Sequence, residues 1–390
     1  MKPIYLDYNA TTPIDPAVEE AMLPYLKGGL DGRFGNPSSS HRYGREAHSA
    51  IVKARGQVAE LLGCKPDEIA FTGCGSEADN LAIKGVAEAY RDKGNHIITS
   101  QIEHPAVLNT CRYLERHGYE VTYLPVDEYG LVDPASVEAA ITARTILISI
   151  MHANNEVGTV EPIAAIGAIA NSKGVHFHTD AAQSVGKIPT RVDELCVDLF
   201  TVAGHKLYAP KGVGALFVRA GTKLEPLIHG AGHEGGRRAG TENVSHIVAL
   251  GKACEIAGKT MTEYVPRLRE LRDRLHQHLA AGMDGLKLNG HPMDRLPNTL
   301  NVSFPGMDGE ALLAQTPLVA ASTGSACHAG RTEPSAVLLA MGTKRERALA
   351  AIRFSLGKFT SAVDVDQAAA LILGVKERHV ASPEQRTLVI

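Results

Sequence analysis

The sequence predicts an α/β protein: a large domain on a mostly parallel seven-stranded sheet, with a smaller α+β domain beside it. Three observations lead there. Short apolar segments alternate with helix-like stretches through the first two-thirds of the chain, the pattern of a parallel sheet covered on both faces. From about residue 255 that alternation gives way to a long amphipathic stretch and mixed elements. A length of 390 residues also exceeds what one simple core organises. We place the large domain at 16–254 and the small one at 1–15 plus 255–390.

The elements follow in order. Candidate strands are EIAFTG (68–73), HIITS (96–100), EVTYLPV (120–126), RTILISIMH (144–152), VHFHTD (175–180), VDLFTVAG (197–204) and VGALFVRA (213–220). The helical stretches between them, 76–94, 104–118 and 162–174, close on glycine after lysine or histidine, a helix-stop signal. In the last third, TMTEYVPRLRELRDRLHQHLAAG (260–282) carries apolar residues at three-and-four spacing. Then come a strand (298–306), a helix (308–315), a loop holding Cys327, a helix (334–342), a strand (350–357) and a last helix (362–379). The tail, 381–390, is expected to be loosely held.

Bulk composition excludes several classes. Lys plus Arg number 40 and Asp plus Glu 43, a formal net charge of -3, so no global basic bias favours nucleic acid or an anionic membrane. No apolar run spans a bilayer. The opening MKPIYLDYNATTP lacks the apolar core of a secretory signal, so a cytoplasmic protein is expected. The six cysteines form no C-x-x-C pair, and each is first read as a small buried apolar residue. Cys196, Cys254 and Cys111 fit that reading. Cys327, set in STGSACHAGRTEPS (322–335) among small and charged residues, does not.

Three further stretches carry chemistry. FTGCGSEADN (71–80) joins strand to helix through Gly73 and Gly75, which let backbone amides approach an anion at a helix N-terminus, with Ser76 adding a hydroxyl. The same spelling satisfies G-x-G-x-x-A, but the acidic residue of a dinucleotide site is missing after the next strand. It also suits a plain tight turn. FHTDAAQ (177–183) puts Asp180 at a strand end, where a buried carboxylate needs a cation or a helix to cap. FTVAGHKLYAPKG (200–212) puts Lys206 at the next strand end, where desolvation makes the amine a nucleophile toward aldehydes. A phosphate cradle, an acid and a lysine are together the parts that hold pyridoxal phosphate.

With these motifs the chain resembles the cysteine desulfurases of the NifS/IscS type, in the class V aminotransferase superfamily of fold type I. The likeness runs nearly end to end: YLDYNATTP (5–13), FGNPSS (34–39), EHPAV (103–107), ANNEVG (153–158), HTDAAQ (178–183), GHKLYAPKG (204–212), RAGTEN (238–243), SACHAGRTEPS (325–335) and IRFSLG (352–357). The resemblance implies a cofactor, pyridoxal 5'-phosphate, held covalently by Lys206. Asp180 would pair with its ring nitrogen and His104 would stack on the ring. Asn155 and Gln183 would bond near the phenolic oxygen. Gly75, Ser76 and His205 would bind phosphate, and Thr241 would reach the partner subunit's phosphate in a homodimer. Arg353, with Asn155, would hold the carboxylate of L-cysteine. Catalysis would rest on Lys206, His104 and Cys327, the last taking sulfur as a persulfide for an acceptor protein.

Acceptors of that class serve iron–sulfur assembly, tRNA thiolation or DNA phosphorothioation, and direct nucleic-acid binding is not expected. The loop length resembles the branch that hands sulfur directly to partners. His104 or His328 is the expected aid to the Cys327 thiolate. Selenocysteine lyase and class V aminotransferase chemistry share the same frame. Two departures stand out. Ala203 replaces the serine often found before Gly-His-Lys, leaving Thr201 as the candidate substitute hydroxyl. Gly-Cys-Gly-Ser replaces Ser-Gly-Gly-Thr, which puts Cys74 near the phosphate in a structural part.

Overall fold

The computed structural model describes residues 2–324, 326–328 and 331–380, with the backbone alone at 326–328, 331–332 and 376–380. All seven expected strands form: β1 (Ile69–Thr72), β2 (His96–Ser100), β3 (Glu120–Leu124), β4 (Thr145–Ser149), β5 (His176–Asp180), β6 (Leu199–Ala203) and β7 (Gly214–Val218). They make one sheet in the order β1-β7-β6-β5-β4-β2-β3. Only β7 runs against its neighbours; the other pairings are parallel. β1, β2, β4, β6 and β7 are buried at every residue, which explains why they read as continuous apolar runs rather than alternating ones.

Helices cover both faces. α1 (Arg42–Leu62) went unpredicted, although Ile51, Ala54, Val58 and Leu62 recur at helical spacing and all point inward. It ends on Gly63 in the left-handed conformation, which frees the last carbonyls to be capped. α2 (Gly75–Ala89), α3 (Pro105–Glu115) and α4 (Ile163–Lys173) stand where the periodicity predicts them. Cys111 and Cys254 are buried, as read from their surroundings, whereas Cys196 is only half-buried and has a positive φ of 55°. It occupies a turn ahead of β6, where Asp193 O accepts from its backbone N–H, so local geometry rather than apolar packing sets its place.

The long helix begins earlier than the sequence indicates. α5 spans Val244–Gly282, 39 residues, with Pro266 inside it. Its first half packs Ile247, Leu250 and Ala253 into the core beneath the sheet. Its second half supplies Leu268, Leu271, Leu275 and Leu279 to a separate core with Ile4, Leu6, Phe304 and Phe354. The expected division at residue 255 therefore falls within one continuous helix.

The second core is built on β8 (Lys287–Asn289), β9 (Thr299–Ser303) and β12 (Ala351–Ser355), an antiparallel sheet in the order β12-β9-β8, backed by α7 (Ala362–Val380). The Cys327 segment is not all loop: β10 (Ala326–His328) pairs antiparallel with β11 (Arg331–Glu333), Cys327 opposite Thr332. It leads into α6 (Ala336–Ala340), which Ser335 caps. The tail at 381–390 lies outside the described residues.

Candidate active site

Parallel strands end on one edge of the sheet, and their loops converge beyond it. There a cavity of about 290 Å³ is lined by Gly75, Ser76, His104, Asn155, Asp180, Gln183, His205, Lys206 and Arg353, nine of the residues singled out by sequence. More open grooves lie elsewhere, one of about 810 Å³ along Pro125–Pro134 and Arg295. None of them combines a strand-end lysine, a strand-end acid and a helix N-terminus, so volume is a poorer guide here than chemistry.

The floor is made by α2. Its first residue, Gly75, packs so closely on β6 that an added Cβ would sit 3.0 Å from Ala203 Cβ. The glycine is what lets helix and strand approach. Cys74 caps the helix, its Sγ accepting from Glu77 N at 3.4 Å, which is a structural part beside the cavity. Thr201 does not substitute for the serine hydroxyl missing at Ala203. It is fully buried and its Oγ1 lies 3.1 Å from His178 Nε2.

Lys206 follows β6 on a single helical turn and points into the cavity, where its Nζ donates to Ala10 O at 2.7 Å and to Asn9 O. Burial, with the Arg353 guanidinium adding to it, lowers its amine to about 8 despite the nearby Asp7 and Asp180. Asp180 ends β5. Its Oδ1 accepts from Ala182 N at 2.9 Å, but burial still pushes its carboxyl up. This is an acid short of a full counter-charge. Arg353, in the middle of β12, reaches across from the second sheet: Nη2 donates to Asp7 Oδ1 at 2.7 Å and Nη1 to Asn155 O at 3.0 Å.

His104 is the N-cap of α3, with Nδ1 accepting from Ala106 N at 3.1 Å. That bond fixes the tautomer, with the proton on Nε2, and burial holds the ring on the neutral side of its usual range. His205 is likewise pushed down to about 4 by burial and the neighbouring lysines. Thr241 does not line this cavity. It is exposed on the loop ahead of α5. The side chains of Cys327 and His328 lie outside the described residues.

Sequence reading missed Asn9, Asp79 and Met151, which also line the cavity. Asn9 is buried; its O accepts from Gln183 Nε2 at 3.0 Å and its Nδ2 donates to Thr299 Oγ1 at 2.9 Å, so one residue ties the lysine, the glutamine and the second sheet together. Asp79 is buried on the inner face of α2, its carboxyl raised by desolvation and by Asp180, with Oδ1 lacking a hydrogen-bond partner. The signal for Asp79 was present: an acid four residues into an amphipathic helix, on its buried face.

The match to known proteins agrees with this geometry. Residues 4–368 match the family described as aminotransferase class-V. The chain belongs to that family. Within it the chain falls among cysteine desulfurases: it is 51% identical over 365 residues to "Cysteine desulfurase IscS" of Dictyoglomus turgidum, covering 93% of this chain and 92% of the relative. Among solved structures, one described as a NifS-like protein superposes with a TM-score of 0.90 at 38% identity, covering 96% of this chain and all of the other. A second, described as SspA in complex with cysteine, gives 0.80 at 40% identity, covering 92% and 99%. The class V desulfurase frame thus extends over both sheets and includes the strand-end cavity.

Proposed function

We propose that this chain is a cysteine desulfurase: it converts L-cysteine to L-alanine, keeps the sulfur as a persulfide on Cys327 and passes it to an acceptor protein. The observation that carries the reading is the convergence of Lys206, Asp180 and the α2 N-terminus on one cavity. The residues present fit pyridoxal 5'-phosphate. The close approach at Gly75 leaves helix N–H groups facing the cavity, a fit for phosphate together with Ser76 and His205. Asp180, buried and raised, would be stabilised by a protonated ring nitrogen of the bound cofactor. Bound there, the cofactor supplies an electron sink for charge developed at the substrate α-carbon.

The chain's own groups do the rest. Lys206 at about 8 is part neutral at physiological pH, so its Nζ can hold the cofactor and afterwards carry the α-proton. Arg353, braced by Asp7, presents a guanidinium to the substrate carboxylate with Asn155 alongside. His104 offers a neutral ring face and an Nε2 proton. The Cys327 thiolate attacks the substrate sulfur. The S–S bond forms as the substrate C–S bond breaks, the substrate carbon takes a proton, and alanine departs. Two protomers form the working enzyme, each lending Thr241 to its neighbour.

Borohydride treatment of the yellow protein tests the first half: the fixed label is expected on Lys206, and a label on any other lysine overturns the assignment. Cys327→Ala tests the second: alanine release from cysteine is expected to fall by at least about a hundredfold, since loss of a nucleophile removes the step itself. Undiminished alanine production would exclude the persulfide route.

A further inference from the structure

Lys187 is a buried lysine without an acid. It lies in the turn after β5, only 6% exposed. Its Nζ donates to Gln183 Oε1 at 3.2 Å, and it makes no ion pair among the described residues. The charged groups that bear on it, Lys206 and Arg353, are both cations. A methionine of similar volume would fill this place at far less desolvation cost, so packing does not explain the residue.

Its geometry suggests another part. Nζ donates to the amide oxygen of Gln183, and Asn9 O, a carbonyl, can only accept, so the two partners set the same orientation from opposite sides. The amide nitrogen lies on the side away from Lys187, where it donates to Asn9 O at 3.0 Å and where Gln183 lines the cavity. Without Lys187 the amide would be held in this orientation by Asn9 O alone, an acceptor it shares with Lys206 Nζ. We propose that Lys187 is a positioning residue: together with Asn9 O it holds the Gln183 amide so that an N–H serves the ring-oxygen side of the cofactor site. The proposal rests on reading the cavity as a pyridoxal phosphate site. A buried Lys187 ammonium is disfavoured, its amine lowered to about 7 first by burial and then by Lys206 and Arg353. The fold therefore carries this amine at a cost in stability.

The test compares wild type, Lys187→Met, Gln183→Leu and the double variant as purified dimers, stripped of cofactor and titrated with pyridoxal phosphate. K187M is expected to fold with an unchanged or higher melting temperature, because a costly group has gone. It is expected to bind the cofactor about three- to tenfold more weakly, the worth of one hydrogen bond. The pH at which the bound chromophore changes colour is expected to rise by about half a unit, since a donor and a positive charge are lost. In the Q183L background the same change is expected to add nothing. Wild-type affinity in K187M, an equal loss in both backgrounds, or failure of K187M to fold would each overturn the proposal, the last by making the lysine structural. Failure of the cofactor reading itself would show in the wild type, as protein that takes up no pyridoxal phosphate on Lys206.

Discussion

At the scale of single residues, Lys206 owes its chemistry to where it is kept. An amine lowered to about 8 by burial should capture an aldehyde more than a hundredfold faster at pH 7 than an ordinary lysine would, because the neutral fraction grows about tenfold each time the pKa falls by one. The rate of cofactor uptake by stripped protein should climb with pH and level off above about 8, which stopped-flow absorbance would follow. A profile still rising steeply at pH 10 would place the amine in water. Ala203 offers a second handle. It lines the cavity where a hydroxyl is often found, so Ala203→Ser is expected to tighten cofactor binding by about 0.5–1.5 kcal/mol. Lys206, Asp180 and Arg353 were legible because each stands at a recognisable strand end or motif. Lys187 was not, because burial of a lysine depends on what packs over it, and no local pattern records that.

Elements set these residues in place, and they do so through buried polar groups as much as apolar ones. Glu103, between β2 and α3, accepts from Ser100 Oγ at 2.6 Å and Met151 N at 2.9 Å, yet its other oxygen has no partner. Burial raises its carboxyl from 4.5 to about 8. Folded protein therefore binds this proton more tightly than unfolded chain, and the group's contribution is lost as pH rises from about 4.5 through about 8. Glu103→Gln keeps the accepting oxygen and cannot ionise, so its melting temperature relative to wild type should rise between pH 5 and pH 9. A constant difference would show that Glu103 does not titrate in this range. Strand and helix placement was readable because apolar periodicity is local. The β10–β11 hairpin was not, since its residues, Ala326–His328 and Arg331–Glu333, lack β-branched and aromatic side chains apart from one threonine. A tertiary contact steadies its base instead: Ser335 Oγ donates to the half-buried Glu156 at 2.5 Å, and Gly324 lies so near that a Cβ would meet Glu156 Oε2 at 2.5 Å. Glu156→Ala is expected to speed amide exchange at Gly324 and Ser335 at least about tenfold, with the sheet of the large core unchanged, as mass spectrometry would report.

For the whole molecule, we infer two cores as two domains, with subunits that complete each other's sites. Mixing Lys206→Ala with Thr241→Ala protein, after exchange of subunits, gives mixed dimers in which one site retains both native residues. About a quarter of wild-type sites should be restored by statistical pairing, read as desulfurase turnover. No recovery would mean that Thr241 acts within its own chain. Thr241 was assigned only through the family resemblance, because no local pattern shows a contact that we infer to be made with another molecule. Among the described residues no helix is long and apolar enough to cross a membrane. The 39-residue α5 extends about 58 Å and is anchored in both hydrophobic interiors. Such a beam resists clamshell opening, since flexing it would prise leucines from two greasy interiors together. Cargo must then be delivered by something lighter than a domain, so swapping the short β-hairpin between related chassis should redirect the recipient while the cofactor chemistry stays as it was.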